Sequence, residues 1–150
     1  MLKVFFSICI ALSGLLFIAS RVNARDDKLL LPIADVLNGP DARKKLDSSI
    51  KFFFGNQPHP KIITNFQSDV TNLKTNAFNK TDQRACEWVF LSALLSLEKR
   101  AKQLGANAVV NIISYYQKVP MSSDTQYECH AGTLMAGVAL KGDFVKIETP

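Results

Sequence analysis

The chain has 150 residues, 18 basic and 13 acidic side chains, a formal net charge of +5 and 47% hydrophobic residues. That length suits one domain with a real but modest core. No Lys/Arg cluster stands out, so the basic balance gives no ground for nucleic-acid binding.

The N-terminus reads as a leader. Met1–Lys3 is a short basic start, and Val4–Ser20 is an uncharged, mostly apolar run. Val22 and Ala24 then hold the positions a signal peptidase reads, which predicts a signal peptide over residues 1–24. The alternative is an uncleaved membrane anchor, since the apolar run is nearly long enough to span a bilayer. The polar stretch Arg25–Lys28 directly after Ala24 favours removal, and Cys9 inside the apolar run argues against a lipoprotein anchor. The expected mature chain is a single α+β domain over residues 25–150, periplasmic or secreted, with no membrane attachment after cleavage. Loss of Lys3 and Arg21 lowers its charge from +5 to +3. It keeps Cys86 and Cys129, and an even pair in an exported chain is most simply a disulfide. Such a bond stabilises a small domain by about 2–4 kcal/mol.

Residues 25–80 read as N-terminal strands and loops. Lys28–Asn38 is apolar enough for a first strand, with Pro32 confining it to an edge or a bulge. Asn38–Asp41 is a turn signal, and Asp41–Leu46 allows one short helical turn. Ser49–Gly55 is a strand candidate with Ile50, Phe52 and Phe54 on one face. At least two of the rings Phe52, Phe53 and Phe54 should be covered, because an exposed run of three is an aggregation hazard. Pro58 and Pro60 end that strand. From Lys61 to Asn79 the apolar residues are thinly spaced, predicting one or two short strands with loops between them.

Residues 81–147 read as a helix–strand–strand unit. Thr81 is a good N-cap, Asp82 places negative charge in the first turn, and Gly105 supplies the left-handed stop. Cys86, Val89, Phe90, Ala93, Leu94, Leu97, Ala101 and Leu104 gather on one helical face. Trp88, Leu91 and Leu95 form a second apolar stripe on the far side. The N-terminal third has the apolar content to cover it; another subunit is the alternative, which makes the three residues a candidate interface for a protein partner or for self-association. Ala108, Val110, Ile112, Ser114 and Tyr116 alternate with Val109, Asn111, Ile113 and Tyr115 along a strand. Lys118–Asp124 is a loop. Thr125–Leu140 is predicted as one long strand presenting Cys129, Ala131, Gly137 and Ala139 on a small-residue face. Lys141–Asp143 should turn the chain into a short last strand, Phe144–Ile147. The whole is one long central helix on a mainly antiparallel sheet, with Cys86 and Cys129 clamping helix to sheet.

Little points to catalysis. No Ser or Cys sits in a recognisable nucleophile elbow, only His59 and His130 offer imidazole, and no glycine-rich phosphate loop is present. The carboxylates are scattered. A metal set of Cys86, Cys129, His59 and His130 is the rival reading. It is disfavoured because Cys129 and His130 are strand neighbours pointing to opposite faces, and no C-x-x-C or H-x-x-x-H spacing occurs. No cofactor is implied. Asn79-Lys80-Thr81 fits the N-glycosylation pattern, though the cap role already explains Thr81.

Leu104–Asn111 (LGANAVVN), followed by a strand, a loop and the Ala/Gly-rich AGTLMAGVALKG, resembles the YbjQ-like family of small domains and RcsF-like envelope proteins. The resemblance covers residues 82–147. The FFFG…HP, KTNAFNK and ECHAGTLMAGVALKGD stretches also resemble short exported bacterial proteins often named "excinuclease ATPase subunit". The chain carries no ATP-binding loop or zinc-finger spacing to match that name. The resemblance implies an α+β fold and transfers no catalytic residue.

Overall fold

The computed structural model describes residues 24–149. The leader predicted over residues 1–24 therefore lies outside the described residues, Ala24 excepted.

The domain is α+β. Strands β1 (Asp27–Pro32), β2 (Lys51–Phe54), β3 (Ile62–Asn76), β4 (Ala108–Ser114), β5 (Gln126–Ala131) and β6 (Met135–Ile147) form one sheet. Helices α1 (Ile33–Leu37) and α2 (Pro40–Lys45) are short, and α3 (Asp82–Leu104) is long. All strand pairs are antiparallel except β2 with β4. β6 is the hub. It pairs along its whole length with β3 on one side, while β4 and β5 share the other and carry β2 and β1 outward.

α3 forms where its capping residues put it. Thr81 is extended (φ −66°, ψ 151°) and its hydroxyl accepts from the Arg84 N–H at 3.1 Å. Gly105 at φ 76° ends the helix, a conformation that excludes most other residues. Cys86, Val89, Phe90, Ala93, Leu94, Leu97 and Ala101 are buried on the sheet, and Leu104 is half-buried at the end of that face. Phe90 stacks on Tyr127 of β5 with ring centroids 3.8 Å apart, and Phe54 of β2 lies 6.0 Å from Phe90. At the other end of α3, Lys102 bridges Asp47 (2.9 Å) and the buried Glu98 (2.8 Å), and Glu98 accepts from the Asp47 N–H. The loop after α2 is thereby tied to the last turns of the helix.

Phe52 and Phe54 pack into the main core, while Phe53 joins a smaller cluster under the sheet with Ala108, Val110, Val145, Ile147 and Ile62. All three rings are at least half-buried.

The structure corrects several expectations. Lys28–Asn38 is not one strand: β1 stops at Pro32, whose lack of an N–H ends the ladder, and Ile33–Leu37 is helical. Lys61–Asn79 is not one or two short strands but a single 15-residue strand; pairing with β6 supplies the stability its sparse apolar pattern does not announce. Thr125–Leu140 is a hairpin, because the Gly132 N–H bonds back to Met135 O at 2.8 Å and reverses the chain. Gly137 and Ala139 consequently face away from α3, while Cys129 and Ala131 face it along with Ala136, Val138 and Leu140.

The alternation in β4 also fails. Asn111 is left-handed (φ 52°) and forms a bulge against β6, so Val109 and Ile112 both join the helix-side core while Ala108 and Val110 lie on the other face. Finally, Lys141–Asp143 does not turn. β6 runs straight through it, and Gly142 is there for space: a Cβ would sit 2.6 Å from Val109 Cγ1 and 3.3 Å from Ile112 Cγ1. Gly142→Val should therefore lower stability by about 1–3 kcal/mol through overpacking against two stiff side chains. Urea unfolding followed by far-UV circular dichroism checks it; an unchanged midpoint would refute the close-approach role.

Candidate functional site

Three features stand out around α3 and β5. The first is the clamp. Cys86, in the first turns of α3, is bonded to Cys129 at the middle of β5, with Cα atoms 5.8 Å apart. Both residues are fully buried. The bond joins the start of the long helix to the strand that β1 covers, where Leu29 lies opposite Cys129. It supplies a covalent floor to packing that is otherwise made of small residues such as Ala85 and Ala131.

The second is the outer side of α3, where the sequence placed a candidate interface. Leu91 is only 4% exposed, and Leu95 is half-buried against the main core. The N-terminal third of the chain supplies Ile33, Val36 and Leu37 of α1 to the same core. As an open stripe, Trp88/Leu91/Leu95 therefore does not exist; Trp88 alone stays 40% exposed. The Lys45 ammonium from α2 lies 3.9 Å over its ring centroid, a cation–π contact that partly screens the remaining face. The Tyr127 hydroxyl, buried beneath this region, has no hydrogen-bond partner among the described residues, and burial raises its pKa.

The third is polar and lies on the sheet face opposite α3. Strand alternation sends Glu128 and His130 there, since Cys129 between them faces the helix. His130 Nε2 is 2.7 Å from Glu128 Oε1, and its Nδ1 is 3.0 Å from Asp26 Oδ1. Lys28 Nζ is 3.0 Å from the second Glu128 oxygen. The His130 ring stacks on Tyr116 with centroids 3.6 Å apart, held by a 3-10 turn at Tyr116–Lys118. Beside them opens a shallow cleft of about 320 Å³, lined by Arg25, Lys74, Leu134, Met135 and Gly137 as well as Tyr116 and His130. Arg25 at its rim is engaged by Asp27 and Asp82.

This network is built to neutralise itself. Glu128 is 6% exposed. Burial alone would raise its pKa, but the hydrogen bonds from His130 and Lys28 outweigh that and hold the carboxyl below its ordinary range. Both His130 nitrogens face carboxylates, and none of the described hydrogen bonds links the ring to a Ser, Thr or Cys that could act as nucleophile. The soft-ligand set considered from the sequence is not assembled. Cys86 and Cys129 are joined to each other, while His59 sits in the β2–β3 loop against Phe53, its Nδ1 2.8 Å from Pro60 O. Among the described residues no three His, Cys, Asp or Glu side chains converge as metal ligands.

The partners of His130 escaped the sequence reading for different reasons. Glu128 was accessible from alternation alone, two positions away on the same face. Asp26, Lys28 and Tyr116 arrive through β1 pairing and through the turn after β4, which no local pattern records.

Two outcomes follow. Reduction in denaturant and removal of the clamp by Cys86→Ala with Cys129→Ala should lower stability by about 2–4 kcal/mol; equal urea midpoints for parent and variant would refute its structural weight. Glu128 has a folded pKa below its unfolded value, so its contribution is present above about pH 4.5 and is lost as pH falls through the folded value. Acid unfolding of Glu128→Gln should show a shallower pH dependence below about pH 4.5 than the parent. Superimposable slopes would mean that the pair with His130 and Lys28 has no folded-state preference.

Comparison of the chain with protein-family models, curated proteins and solved structures finds no match.

Proposed function

We propose that the chain is an exported, disulfide-clamped protein of the bacterial envelope that works by binding another protein chain rather than by turnover. The observation that carries this reading is the fully buried Cys86–Cys129 bond, which ties the long helix to the sheet. A small domain that relies on such a bond is suited to an oxidising compartment. The leader pattern of residues 1–24 points the same way, and so does the likeness of Leu104–Asn111 and Ala131–Gly142 to envelope domains. Against turnover stands that none of the described hydrogen bonds links His130 to a Ser, Thr or Cys nucleophile.

N-terminal sequencing and thiol counting of the protein recovered from fractionated cells test the reading. The expected result is a chain beginning at Arg25, found outside the cytoplasm, with both cysteines oxidised. A full-length cytoplasmic chain with two free thiols would sink it. Crosslinking in the intact envelope should then trap a protein partner, and capture of none would leave export without the binding role.

A further inference from the structure

β3 is the longest strand of the sheet, and only one of its edges is used: it pairs with β6 and with no other described strand. Bulges interrupt its first part, between Ile62 and Thr64 and between Asn65 and Gln67. From Gln67 to Asn76 its register against β6 is unbroken. The direction of its backbone groups is fixed by the same ladder, because just beyond the strand the Ala77 N–H donates to Leu134 O at 2.8 Å. Odd-numbered residues therefore turn their N–H and C=O toward β6, and Ser68, Val70, Asn72 and Lys74 turn theirs outward. The Val70 N–H is met only locally, by the Oδ1 of its neighbour Asp69 at 2.8 Å. Val70 in the regular stretch, and Ile63 and Phe66 in the bulged part, are large apolar side chains each about two-fifths or more exposed. The regular stretch has no proline and no bulge, and its two charges, Asp69 and Lys74, are of opposite sign.

We propose that this open edge pairs antiparallel with β3 of a second copy, with the two-fold axis at Val70. The proposal rests on reading the chain as one that acts through protein contact. Self-pairing at Val70 places Val70 against Val70 of the other copy, Ser68 against Asn72, and Phe66 against the aliphatic stem of Lys74. All of these are residues whose side chains share one face or flank the bulge, and neither of the strand's two charges meets its like. Moving the axis to Asp69 would oppose two carboxylates, which is destabilising. Moving it to Ser68 brings the Asn65–Gln67 bulge into the centre of the ladder, and moving it to Asn72 sets Val70 against the Lys74 ammonium. Moving it to Thr71 sets Val70 against Asn72 and Ser68 against Lys74, so among these registers the Val70 one places Val70 against its own copy with unlike or neutral partners on either side. Asp69 gives up the Val70 N–H in this arrangement and keeps Arg100, whose Nε lies 3.4 Å from its other oxygen. An axis normal to the sheet leaves both α3 helices on one side of a continuous sheet, an isologous closed pair.

Analytical ultracentrifugation of the mature chain tests this directly, and the expected species is a dimer. Val70→Pro removes the outward N–H without touching a bond to β6, so it should give a monomer of unchanged circular dichroism. Val70→Cys under oxidising conditions should yield a covalent dimer, whereas Ser68→Cys alone should not. A monomeric parent chain, a dimer that survives Val70→Pro with its fold intact, or failure of Val70→Cys to crosslink would each overturn the proposal. A photo-crosslinker at Val70 in intact cells separates the two levels. Trapping of a different protein would exclude the second copy while leaving the binding reading standing.

Discussion

Everything in this domain hangs on β6 being paired with β3 along its thirteen residues on one flank and with β4 and β5 on the other. One flank is simple, since β3 runs alongside without a rival. The other must accommodate two strands, β5 next to the hairpin and β4 beyond it, and that arrangement requires both to leave their ideal path. β5 peels away after two paired residues, and β4 enters with the Asn111 bulge. The side-chain amide of Asn111 donates to Asp143 Oδ2 at 2.8 Å, and Ser68 of β3 also bonds Asp143, so the departure is held from both sides. Gly142 next to it leaves room for Val109 and Ile112 to reach the helix-side core together.

Above that sheet, α3 is fastened by three unlike means. A covalent bond holds its start, aromatic stacking of Phe90 on Tyr127 holds its middle, and the Lys102–Asp47–Glu98 group holds its end. The first two are buried and insensitive to salt. The third is half-exposed, and an ion pair in that setting contributes about 0–1 kcal/mol. Asp47 nonetheless has its pKa lowered to about 2, first by the Ser49 backbone N–H and then by Lys102. On the opposite face, Glu128 and His130 spend their polarity on each other and on Lys28 and Asp26. This set of polar contacts ties Asp26 and Lys28, at the start of β1, to β5.

The parts of the fold visible in the sequence are those decided locally. Thr81, Asp82, Gly105 and the apolar face of α3 carry their own explanation, and Cys86 and Cys129 have few alternatives once residues 1–24 are read as a leader. The parts that were hidden are those decided by neighbours. Gly142 looks like a turn glycine because a sequence cannot tell space for a packed valine from freedom of φ. Asn111 sits inside an alternating run that remains plausible until the register against β6 is known. Thr64–Asn76 has little apolar content because one face of that strand meets water and its outer edge is open. The Trp88 stripe was legible as apolar, but its cover came from Ile33–Leu37, a segment that reads as extended and folds as helix because Pro32 ends the strand before it.

The position of β6 in the chain has a consequence for how the domain comes into being. It is the hub of the sheet and also the last of the described strands in chain order. Without it, β3, β4 and β5 have no common neighbour to pair with. Its pairs with β3 run from Asn76 with Met135 to Ile62 with Ile147, which makes sheet closure a non-local event. Cys86 and Cys129 both precede β6 in the chain, so the bond between them joins elements whose common neighbour comes later. The sheet is thus closed at its centre by distant partners, a topology that folds more slowly than one built from local contacts.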